Sequence, residues 1–359
     1  MMKKKIMFFF PNLYGGGAER VAVNMLRILD SKLYEIHLVV VEKSGDYLDL
    51  LPNYVILHDL KMSKTLFSIF KLKSKIDEIK PDIIYSSLLR ANIVLYLSLL
   101  LCRTKPYIIL RSPNSPKLLL DNNELSSVIQ FFVEKAYQKA DLVIAQTPEM
   151  KNELAKYHNI DIDKIKVFLN PIDTKLIDEK INNCENPFDN KYINVIAAGR
   201  LTHQKGFDVL VRSFKNVVSK NDKFILNIIG KDDAEEEKLK AVVKELKLEK
   251  HIRFLGFKEN PYQFFKYADL YVLSSRWEGL PNTVLENLYL KKPIVATRCI
   301  PFMDELICNG KNGLLVDVEN ESQLTNAILE YKIIDTDYKN NLNESNVNEL
   351  FNVLGSINV

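Results

Sequence analysis

Short apolar runs alternate with longer amphipathic stretches along the chain, and this alternation occurs twice. Such runs predict buried parallel strands, each followed by a helix that covers one face of the sheet. The first half contains the strand candidates KIMFFF, EIHLVVV, YVILHDL, DIIYSS, YIILRS, LVIAQT and KVFLN. The second half contains NVIAAG, KFILNIIG, IRFLGF, LYVLSS, PIVAT and GLLV. The pattern predicts an α/β protein with two parallel sheets.

A polar segment, NPIDTKLIDEKINNCENPFDNKY, separates the two series of strands. We predict a first domain at residues 1–170, a linker at 171–190 and a second domain at 191–335. Residues 336–359 are rich in Asn and lose periodicity apart from a short helix predicted at Val347–Leu354. This tail is expected either to pack back on the rest of the chain or to be disordered.

The amino end, MMKKKIMFFFPN, imitates a signal peptide because lysines precede an apolar run. The run Ile6–Phe10 is shorter than the roughly 7–15 residues of a signal core, and Pro11 ends it, so a buried strand is the better interpretation. The longest apolar run, 93–102, is far below the roughly 20 residues that cross a bilayer, and no membrane span is predicted.

The overall charge and the cysteines narrow the class of protein further. A net charge of +3 does not require a nucleic-acid partner, so none is predicted. The four cysteines lack the short paired spacing of a zinc site and are typical of reduced thiols in a cytoplasmic protein.

Polar residues cluster where the predicted strands end. Ligands of open parallel sheets bind at the carboxyl ends of the strands. The segments at these ends are Gly15–Arg20, Arg111, Gly199–Lys205, Gly230 and Ser274–Glu278. Because both halves contribute, two sheets with facing strand ends are expected to enclose a ligand cleft.

The basic segment GRLTHQKG, Gly199–Gly206, follows the first strand of the second half. Arg200 leaves a strand end and Lys205 precedes the next helix, so both cations are able to converge on one anion, and a diphosphate fits. The flanking glycines allow the backbone to approach a ligand closely. A pair of solvated surface cations is the alternative.

The segment EGLPNTVLE begins a predicted helix with Pro281 in its first turn, and Leu280 has no side-chain oxygen to cap it. Such a helix start favours a phosphate ligand. Glu278 and Glu286 would repel that phosphate, so we expect them to accept hydrogen bonds from hydroxyl groups, unless they are merely solvated helix charges. A diphosphate between two polyhydroxylated rings satisfies all of these groups, and it describes a nucleotide sugar.

Taken together, SSRWEGLPNTVLEN, GRLTHQKGF and the amino-terminal GGGAERV resemble family 4 of the nucleotide-sugar glycosyltransferases. The resemblance covers nearly the whole chain. It implies the GT-B fold, in which two Rossmann-like parallel-sheet domains face each other across a cleft. It also implies transfer with retention of anomeric configuration, a UDP- or GDP-linked donor, and no metal or other cofactor.

By this resemblance, Arg200 and Lys205 hold the diphosphate, Glu278 contacts the donor sugar and Glu286 contacts the ribose. Arg200, Lys205 and Glu278 form the predicted catalytic set, because negative charge develops on the diphosphate as its bond to the sugar breaks. The remaining predicted donor-binding residues are Gly16, Gly17, Gly279, Leu280, Pro281 and Asn282. The residues assigned to the acceptor side are Glu19, Arg111 and Asn114.

The chain departs from the family pattern at two loops. Pro113 precedes Asn114 where many relatives have a histidine, and Arg111 is expected to take over part of that polar role. The loop after PIVAT reads RCIPFMDE instead of containing glycines, although Glu305 matches the family's acidic position. The acidic stretch Lys231–Lys238 is interpreted as a helix start rather than a magnesium site.

Two other functions are compatible with the same residues. One is a nucleotide-sugar epimerase, which needs a general base and no second substrate. The other is a noncatalytic glycan or nucleotide binder. A dehydrogenase is disfavoured because Arg20 stands where a GxGxxG fingerprint beginning at Gly15 needs its last glycine. By resemblance, the acceptor is a growing cell-surface glycan on a lipid carrier.

The segment Lys64–Lys80, KTLFSIFKLKSKIDEIK, predicts a helix whose apolar stripe is Ile69, Leu72, Ile76 and Ile79. Phe67 lies on the opposite face, beside Lys64, Lys71 and Lys75. An outward aromatic among lysines suits the headgroups of an anionic bilayer, which predicts peripheral contact with the inner face of the cytoplasmic membrane. A solvated charged face with a covered Phe67 is the alternative.

Overall fold

The computed structural model describes residues 3–121, 126–232 and 234–335, together with Val347 and Leu350. The chain divides into two compact units. We call Met1–Asp173 with Asn343–Val359 the amino unit, and Thr174–Leu342 the carboxyl unit.

The amino unit contains a seven-stranded parallel sheet with the order β3-β2-β1-β4-β5-β6-β7. Its strands are β1 Lys4–Phe10, β2 Tyr34–Val40, β3 Val55–Asp59, β4 Ile83–Ser87, β5 Tyr107–Arg111, β6 Leu142–Ala145 and β7 Ile165–Val167. Its helices are α1 Gly17–Ile28, α2 Ile69–Ile79, α3 Leu89–Leu99, α4 Pro116–Asp121, α5 Ser127–Lys139 and α6 Pro148–His158.

The carboxyl unit contains a six-stranded parallel sheet with the order β10-β9-β8-β11-β12-β13. Its strands are β8 Ile193–Ala198, β9 Phe224–Ile229, β10 Ile252–Gly256, β11 Leu270–Leu273, β12 Ile294–Thr297 and β13 Leu314–Val316. Its helices are α7 Thr174–Ile181, α8 Phe207–Lys220, α9 Glu236–Glu245, α10 Pro261–Tyr267, α11 Asn282–Tyr289, α12 Met303–Leu306 and α13 Glu321–Leu329. Every predicted strand is present, which confirms two Rossmann-like parallel sheets.

In both sheets the strand order reverses beside the first strand of the unit, between β1 and β4 and between β8 and β11. Ligands of doubly wound sheets bind outside the carboxyl ends of the strands at such a switch point. The order therefore marks the loops after β1 and β8 as the first places to examine for chemistry.

The run that imitates a signal peptide is strand β1, at the centre of its sheet. Ile6, Phe8 and Phe10 pack into one apolar cluster, while Met7 and Phe9 pack into the cluster on the other face. All five side chains are fully buried, because a central parallel strand is covered by helices on both faces. None of the helices in the described part of the chain has the length and apolar character needed to cross a bilayer.

The predicted linker 171–190 contains helix α7, whose Leu176 and Ile177 are buried. Lys266 Nζ donates to the Ile181 carbonyl at 3.0 Å, and the Tyr267 hydroxyl donates to the Cys184 carbonyl at 2.7 Å. This polar segment is therefore packed against α10 within the carboxyl unit. Burial of Leu176 and Ile177 stabilises α7 in the carboxyl unit.

Two residues of the predicted Val347–Leu354 helix are described. Val347 and Leu350 are helical and buried in the amino unit, in the cluster that contains Ile6, Phe8 and Phe10. They thus belong to the core of the amino unit, although they follow the carboxyl unit in sequence. The rest of that predicted helix lies outside the described residues.

The predicted helix Lys64–Lys80 is shorter than expected. A 3-10 helix spans Thr65–Ser68, and α2 begins only at Ile69. Leu72, Ile76 and Ile79 are buried and Ile69 is partly buried, as the apolar stripe predicted. The side chain of Phe67 is 63% exposed, so the alternative in which a loop covers it is wrong.

Candidate active site

The loop 199–206 joins β8 to α8 and contacts the segment after β11 through glycine. Gly206 has φ 62°, in the left-handed region, and a Cβ placed there would lie 2.1 Å from the Ser274 carbonyl oxygen. A Cβ on Gly230 would lie 1.8 Å from the Gly199 carbonyl oxygen. Both positions need glycine, because the backbones of neighbouring strand ends approach closely at this edge of the sheet.

Lys205 and Glu278 form an ion pair at the carboxyl ends of β8 and β11. Lys205 Nζ lies 2.6 Å from Glu278 Oε1, which also accepts a hydrogen bond from Ser275 Oγ at 2.7 Å. The side chains of Lys205 and Glu278 are 18% and 9% exposed. The sequence suggested that Lys205 stands ready for a ligand anion, but the structure gives it a carboxylate partner. Oε1 of Glu278 is thereby occupied, and no other described residue bonds its second oxygen.

Arg200 lies at the start of the same loop and is exposed. Leu201 beside it is buried, and its N–H donates to the Lys231 carbonyl at 3.0 Å. That backbone bond joins the loop after β8 to the loop after β9. Arg200 and Lys205, the two residues predicted to bind the diphosphate, therefore lie on one loop. The backbone bond of Leu201 fixes one end of this loop, and the Lys205–Glu278 ion pair fixes the other.

Helix α11 begins at Asn282 with Pro281 as its cap residue, one position later than predicted. Pro281 has an extended conformation with ψ 102°, and its carbonyl accepts the Val284 N–H at 3.0 Å. No side chain of the cap residue serves the helix start, as the sequence predicted. Leu280 and Pro281 are buried, while Gly279 and Asn282 are partly exposed. A donor would thus meet mainly backbone at Leu280 and Pro281.

Glu286 lies within α11 and is 3% exposed. The hydroxyl of Tyr262, on α10, donates to Glu286 Oε1 at 3.2 Å, and Tyr262 is itself buried. Neither Glu278 nor Glu286 is a solvated helix charge, so that alternative is wrong. Tyr262 was not among the predicted site residues, and the sequence marks it only as an aromatic residue directly after the proline that starts α10.

The end of β12 and the loop that follows it lie against the Glu278 segment. Thr297 Oγ1 donates to the Ser275 carbonyl at 2.6 Å, and Cys299 is buried nearby. Burial, and then the charge of Glu278, raise the pKa of the Cys299 thiol, which keeps it protonated. Glu305, the residue at the family's acidic position, is exposed on the short helix α12.

The predicted acidic helix start is present in the loop after β9. Asp232 Oδ1 accepts the N–H groups of Glu235 and Glu236 at 3.1 and 3.0 Å. Glu236 and Glu237 occupy the first turn of α9, where the helix dipole favours carboxylates.

In the amino unit, Gly16 is the cap residue of α1 and Gly17 its first residue. A Cβ on Gly16 would lie 2.3 Å from Glu19 Oε2, so the Glu19 carboxylate folds back over the helix start. Arg20 is buried against the ring of Tyr47, whose hydroxyl donates to the Gly15 carbonyl at 3.2 Å. These contacts hold the glycine loop that follows β1.

Arg111 ends β5 and is 3% exposed. Its guanidinium donates to Asn170 Oδ1 at 2.5 Å and to Ser87 Oγ at 3.2 Å. Burial lowers the pKa of Arg111, but a guanidinium stays charged in proteins. Within the described residues no carboxylate lies at ion-pair distance from it. Asn114 is exposed, and Ser112 Oγ donates to its carbonyl at 2.9 Å.

The register connects these residues of the amino unit. Ser87 of β4 pairs with Arg111 of β5, and Phe9 of β1 pairs with Ser86 of β4. The glycine loop therefore follows β1, which flanks the switch point, and Arg111 ends β5, the neighbour of β4. Both lie at the carboxyl ends of strands, as the sequence predicted.

Two family models match the chain over nearly its whole length. The model described as glycosyltransferase family 4 matches residues 15–176, and the model described as glycosyl transferases group 1 matches residues 178–346.

Individual proteins that are similar to this chain include glycosyltransferases. An uncharacterised glycosyltransferase of Methanocaldococcus jannaschii is 32% identical over 72% of this chain and 64% of its own length. The Campylobacter jejuni N-acetylgalactosamine-N,N'-diacetylbacillosaminyl-diphospho-undecaprenol 4-alpha-N-acetylgalactosaminyltransferase is 28% identical over 89% of this chain and 88% of its own. The crystal structure of Anabaena HepE in complex with UDP and glucose has a TM-score of 0.75 at 17% identity and covers 99% of this chain and all of that one.

Proposed function

Because the chain belongs to glycosyltransferase family 4, with the GT-B fold, we propose that it transfers a sugar from a nucleoside-diphosphate donor with retention of anomeric configuration. The observation that carries this proposal is the buried Lys205–Glu278 pair beside the start of α11. It places a cation, an acceptor oxygen and a helix N-terminus together at a switch point, and a sugar diphosphate needs all three.

The donor is held by the carboxyl unit in this proposal. Arg200 and Lys205 stabilise the charge that grows on the diphosphate as the bond to the anomeric carbon breaks, and no metal is assigned to that task. The second oxygen of Glu278 accepts a hydroxyl of the donor sugar, and Glu286 accepts the ribose hydroxyls. Gly279 and the backbone from Leu280 to Asn282 line the diphosphate.

The acceptor is held by the amino unit in this proposal, through Glu19, Arg111 and Asn114, with Gly16 and Gly17 in the adjoining loop. We propose a lipid-linked glycan as the acceptor, in the synthesis of a cell-surface polysaccharide or glycoconjugate. The C. jejuni relative is named for a diphospho-undecaprenol-linked acceptor, which supports this class. The buried positive charge of Arg111 suits an acceptor that carries phosphate groups.

The donor is identified by a thermal-shift panel of UDP-glucose, UDP-galactose, UDP-N-acetylglucosamine, UDP-N-acetylgalactosamine and GDP-mannose. A ligand at 100 times its dissociation constant adds about 2.7 kcal/mol to stability, which is readily measured. HepE binds UDP and the C. jejuni relative is named for N-acetylgalactosamine, so UDP-N-acetylgalactosamine is the first compound to test.

The function is tested by transfer from the donor so identified to a lipid-linked glycan. Arg200→Ala should lower kcat by roughly 10²–10³-fold, as for other preorganised charge donors. Arg253→Ala, which removes an exposed arginine of β10, is the control and should keep the parental rate. Parental activity of Arg200→Ala would disprove the diphosphate assignment. Interconversion of the free donor without acceptor would instead indicate an epimerase.

We also propose that the enzyme works at the inner face of the cytoplasmic membrane, through the 3-10 turn that precedes α2 and the first turn of α2. Leu66, Phe67 and Phe70 are 58%, 63% and 74% exposed, and Lys64 Nζ lies 5.9 Å from the centroid of the Phe67 ring. Lys71 and Lys75, expected to face the bilayer, instead bond the Leu60 carbonyl at 2.9 Å and Glu78 at 2.6 Å. The aromatic side chains are thus the main contact in the proposal.

Sedimentation with liposomes tests this surface. Phe67→Ser with Phe70→Ser should weaken binding to anionic liposomes at least about tenfold, because each buried Phe contributes roughly 1.5–3 kcal/mol. Ile333→Ser is the control, since it removes a residue of the carboxyl unit that is 60% exposed. Equal sedimentation of the parent and the double variant would exclude this turn as the membrane contact.

A further inference from the structure

Arg276 lies two residues before Glu278 and is largely buried, with 9% of its side chain exposed. Its Nη1 and Nη2 atoms donate to the two carboxylate oxygens of Asp208, each at 2.9 Å. Its Nε atom donates to Glu319 Oε1 at 2.7 Å. One guanidinium therefore joins the segment after β11 to the first turn of α8 and to the turn after β13.

The same residue holds the loop on which Lys205 stands. Arg276 Nη1 donates to the His203 carbonyl and its backbone N–H donates to the Gln204 carbonyl, both at 2.7 Å. In return, Gln204 Nε2 donates to the Trp277 carbonyl at 2.9 Å. The two residues that directly precede Lys205 are thus bonded to the segment that carries Glu278.

Only an arginine makes this set of contacts. The planar guanidinium presents donors in a fixed fork, so it binds one carboxylate in a bidentate manner and still reaches two further acceptors. A lysine has a single nitrogen and cannot span Asp208 and Glu319 together. Glu319 also has φ 61°, a left-handed backbone that is uncommon outside glycine, and its carboxylate bonds Arg276. The Glu319 side chain is 59% exposed, so Asp208 is the more buried of the two carboxylates that bind this guanidinium.

We propose that Arg276 is a positioning residue for Lys205, and that Asp208 and Glu319 hold Arg276 in place. This inference rests on the proposed function, in which Lys205 stabilises charge that develops during transfer. Without the Arg276 side chain, the His203–Lys205 turn loses the hydrogen bond to the His203 carbonyl and the bridge to Asp208 and Glu319, and Lys205 Nζ is held less firmly. The backbone bond to the Gln204 carbonyl remains. Since Lys205 acts on charge that grows in the transition state, the effect falls on kcat rather than on the donor KM.

A double-mutant cycle tests the inference, with Arg276→Ala, Lys205→Ala and the double variant compared on the panel donor that gives the largest thermal shift. We expect Arg276→Ala to lower kcat at least about tenfold and to leave the donor KM within about threefold. The double variant should be no more than about threefold slower than Lys205→Ala, because residues that act through one another are not additive. Arg276→Lys, which keeps the charge without the fork, should have an intermediate kcat.

Arg212→Ala is the matched control, since Arg212 Nη1 also bonds Asp208, at 3.3 Å, but its side chain is 45% exposed. It should keep the parental kcat within about twofold. Multiplicative losses from Arg276→Ala and Lys205→Ala would overturn the inference. If Lys205→Ala alone keeps the parental rate, the proposed role of Lys205 fails instead. If Arg276→Ala does not fold, the cycle is run with Arg276→Lys, which keeps the charge and removes the fork, and the same criterion applies.

Discussion

At the carboxyl edge of each parallel sheet, the cationic side chains have different kinds of partner in the two units. In the carboxyl unit, Lys205 pairs with Glu278, and Arg276 pairs with Asp208 and Glu319. In the amino unit, the only side chains among the described residues that the buried Arg111 guanidinium bonds are the neutral ones of Asn170 and Ser87. Lys205 and Arg276 thus have carboxylate partners before any ligand arrives, whereas Arg111 has none among the described residues.

Because of this difference, the two edges should interact differently with an anionic ligand. A diphosphate that approaches Lys205 competes with Glu278 for the ammonium group, and the loop around it is already fixed by hydrogen bonds. An anion that approaches Arg111 competes with neutral acceptors only. Removing one partner of a buried pair leaves a charge unpaired, while removing an unpaired buried charge also removes its desolvation cost. The two edges should therefore respond oppositely to loss of their cations.

The largest expected effect is on the carboxyl unit. Lys205→Met should lower its free energy of unfolding by about 3 kcal/mol, at the lower end for buried pairs because Lys205 is 18% exposed. The chain has one tryptophan, Trp277, and it lies in this unit, so its fluorescence during urea unfolding reports on this unit. Lys215→Met, at an exposed position of α8, is the control. Equal urea midpoints for the parent and Lys205→Met would refute the difference between the two edges.

The next largest effect is an acid sensitivity of the amino unit. Burial lowers the pKa of His158 from 6.5 to about 4, and its ring lies tilted against that of Tyr137 with 5.4 Å between centroids. Burial, and then the charges of His37 and Lys75, also lower the pKa of His58. Both histidines belong to the amino unit. A buried neutral histidine binds fewer protons than the same histidine in the unfolded chain. Its contribution to the free energy of unfolding is therefore complete above the pKa that it has in the unfolded chain, and is lost as the pH falls towards its pKa in the folded protein.

Lowering the pH from 6.5 to 5 should reduce the free energy of unfolding by about 2 kcal/mol through His158 alone. Far-UV circular dichroism monitors both units, while Trp277 fluorescence monitors the carboxyl unit. Between pH 7 and pH 5, the urea midpoint should fall more by dichroism than by fluorescence. His158→Phe keeps an aromatic ring beside Tyr137 and should remove much of this loss. Equal losses by both probes would contradict the assignment to the amino unit.

The strands were predictable because a central parallel strand is apolar on both faces and leaves a contiguous run in the sequence. Strand β1 shows this most clearly, since all its residues from Ile6 to Phe10 are buried. The turn before α2 was not predictable from periodicity. Residues Thr65–Ser68 adopt a 3-10 helix, whose repeat differs from the 3.6 residues of the α-helix that the apolar stripe assumes.

The candidate site was predictable in its positions and not in its pairings. Strand ends identify Lys205, Glu278 and Arg111 because parallel sheets collect ligands there. The partners are distant in sequence: 73 residues separate Lys205 from Glu278, and 59 separate Arg111 from Asn170. Neither spacing follows from a local repeat. Arg276 lies within the SSRWEG segment, but no local pattern gives it a role, because its partners Asp208 and Glu319 come from the first turn of α8 and the turn after β13.

The smallest expected effect is on Arg111. Arg111→Met should change the free energy of unfolding of the amino unit by less than about 1 kcal/mol, because the lost hydrogen bonds are offset by removing an unpaired buried charge. Methionine fills the same space with an apolar, flexible side chain. Far-UV circular dichroism in urea measures the change, with Lys205→Met as the contrasting variant. The donor panel should give parental thermal shifts, since Arg111 lies in the amino unit, while transfer to a lipid-linked acceptor should fall. A loss as large as that of Lys205→Met would show that Arg111 is as firmly paired as Lys205, and the proposed difference between the two edges would then be wrong.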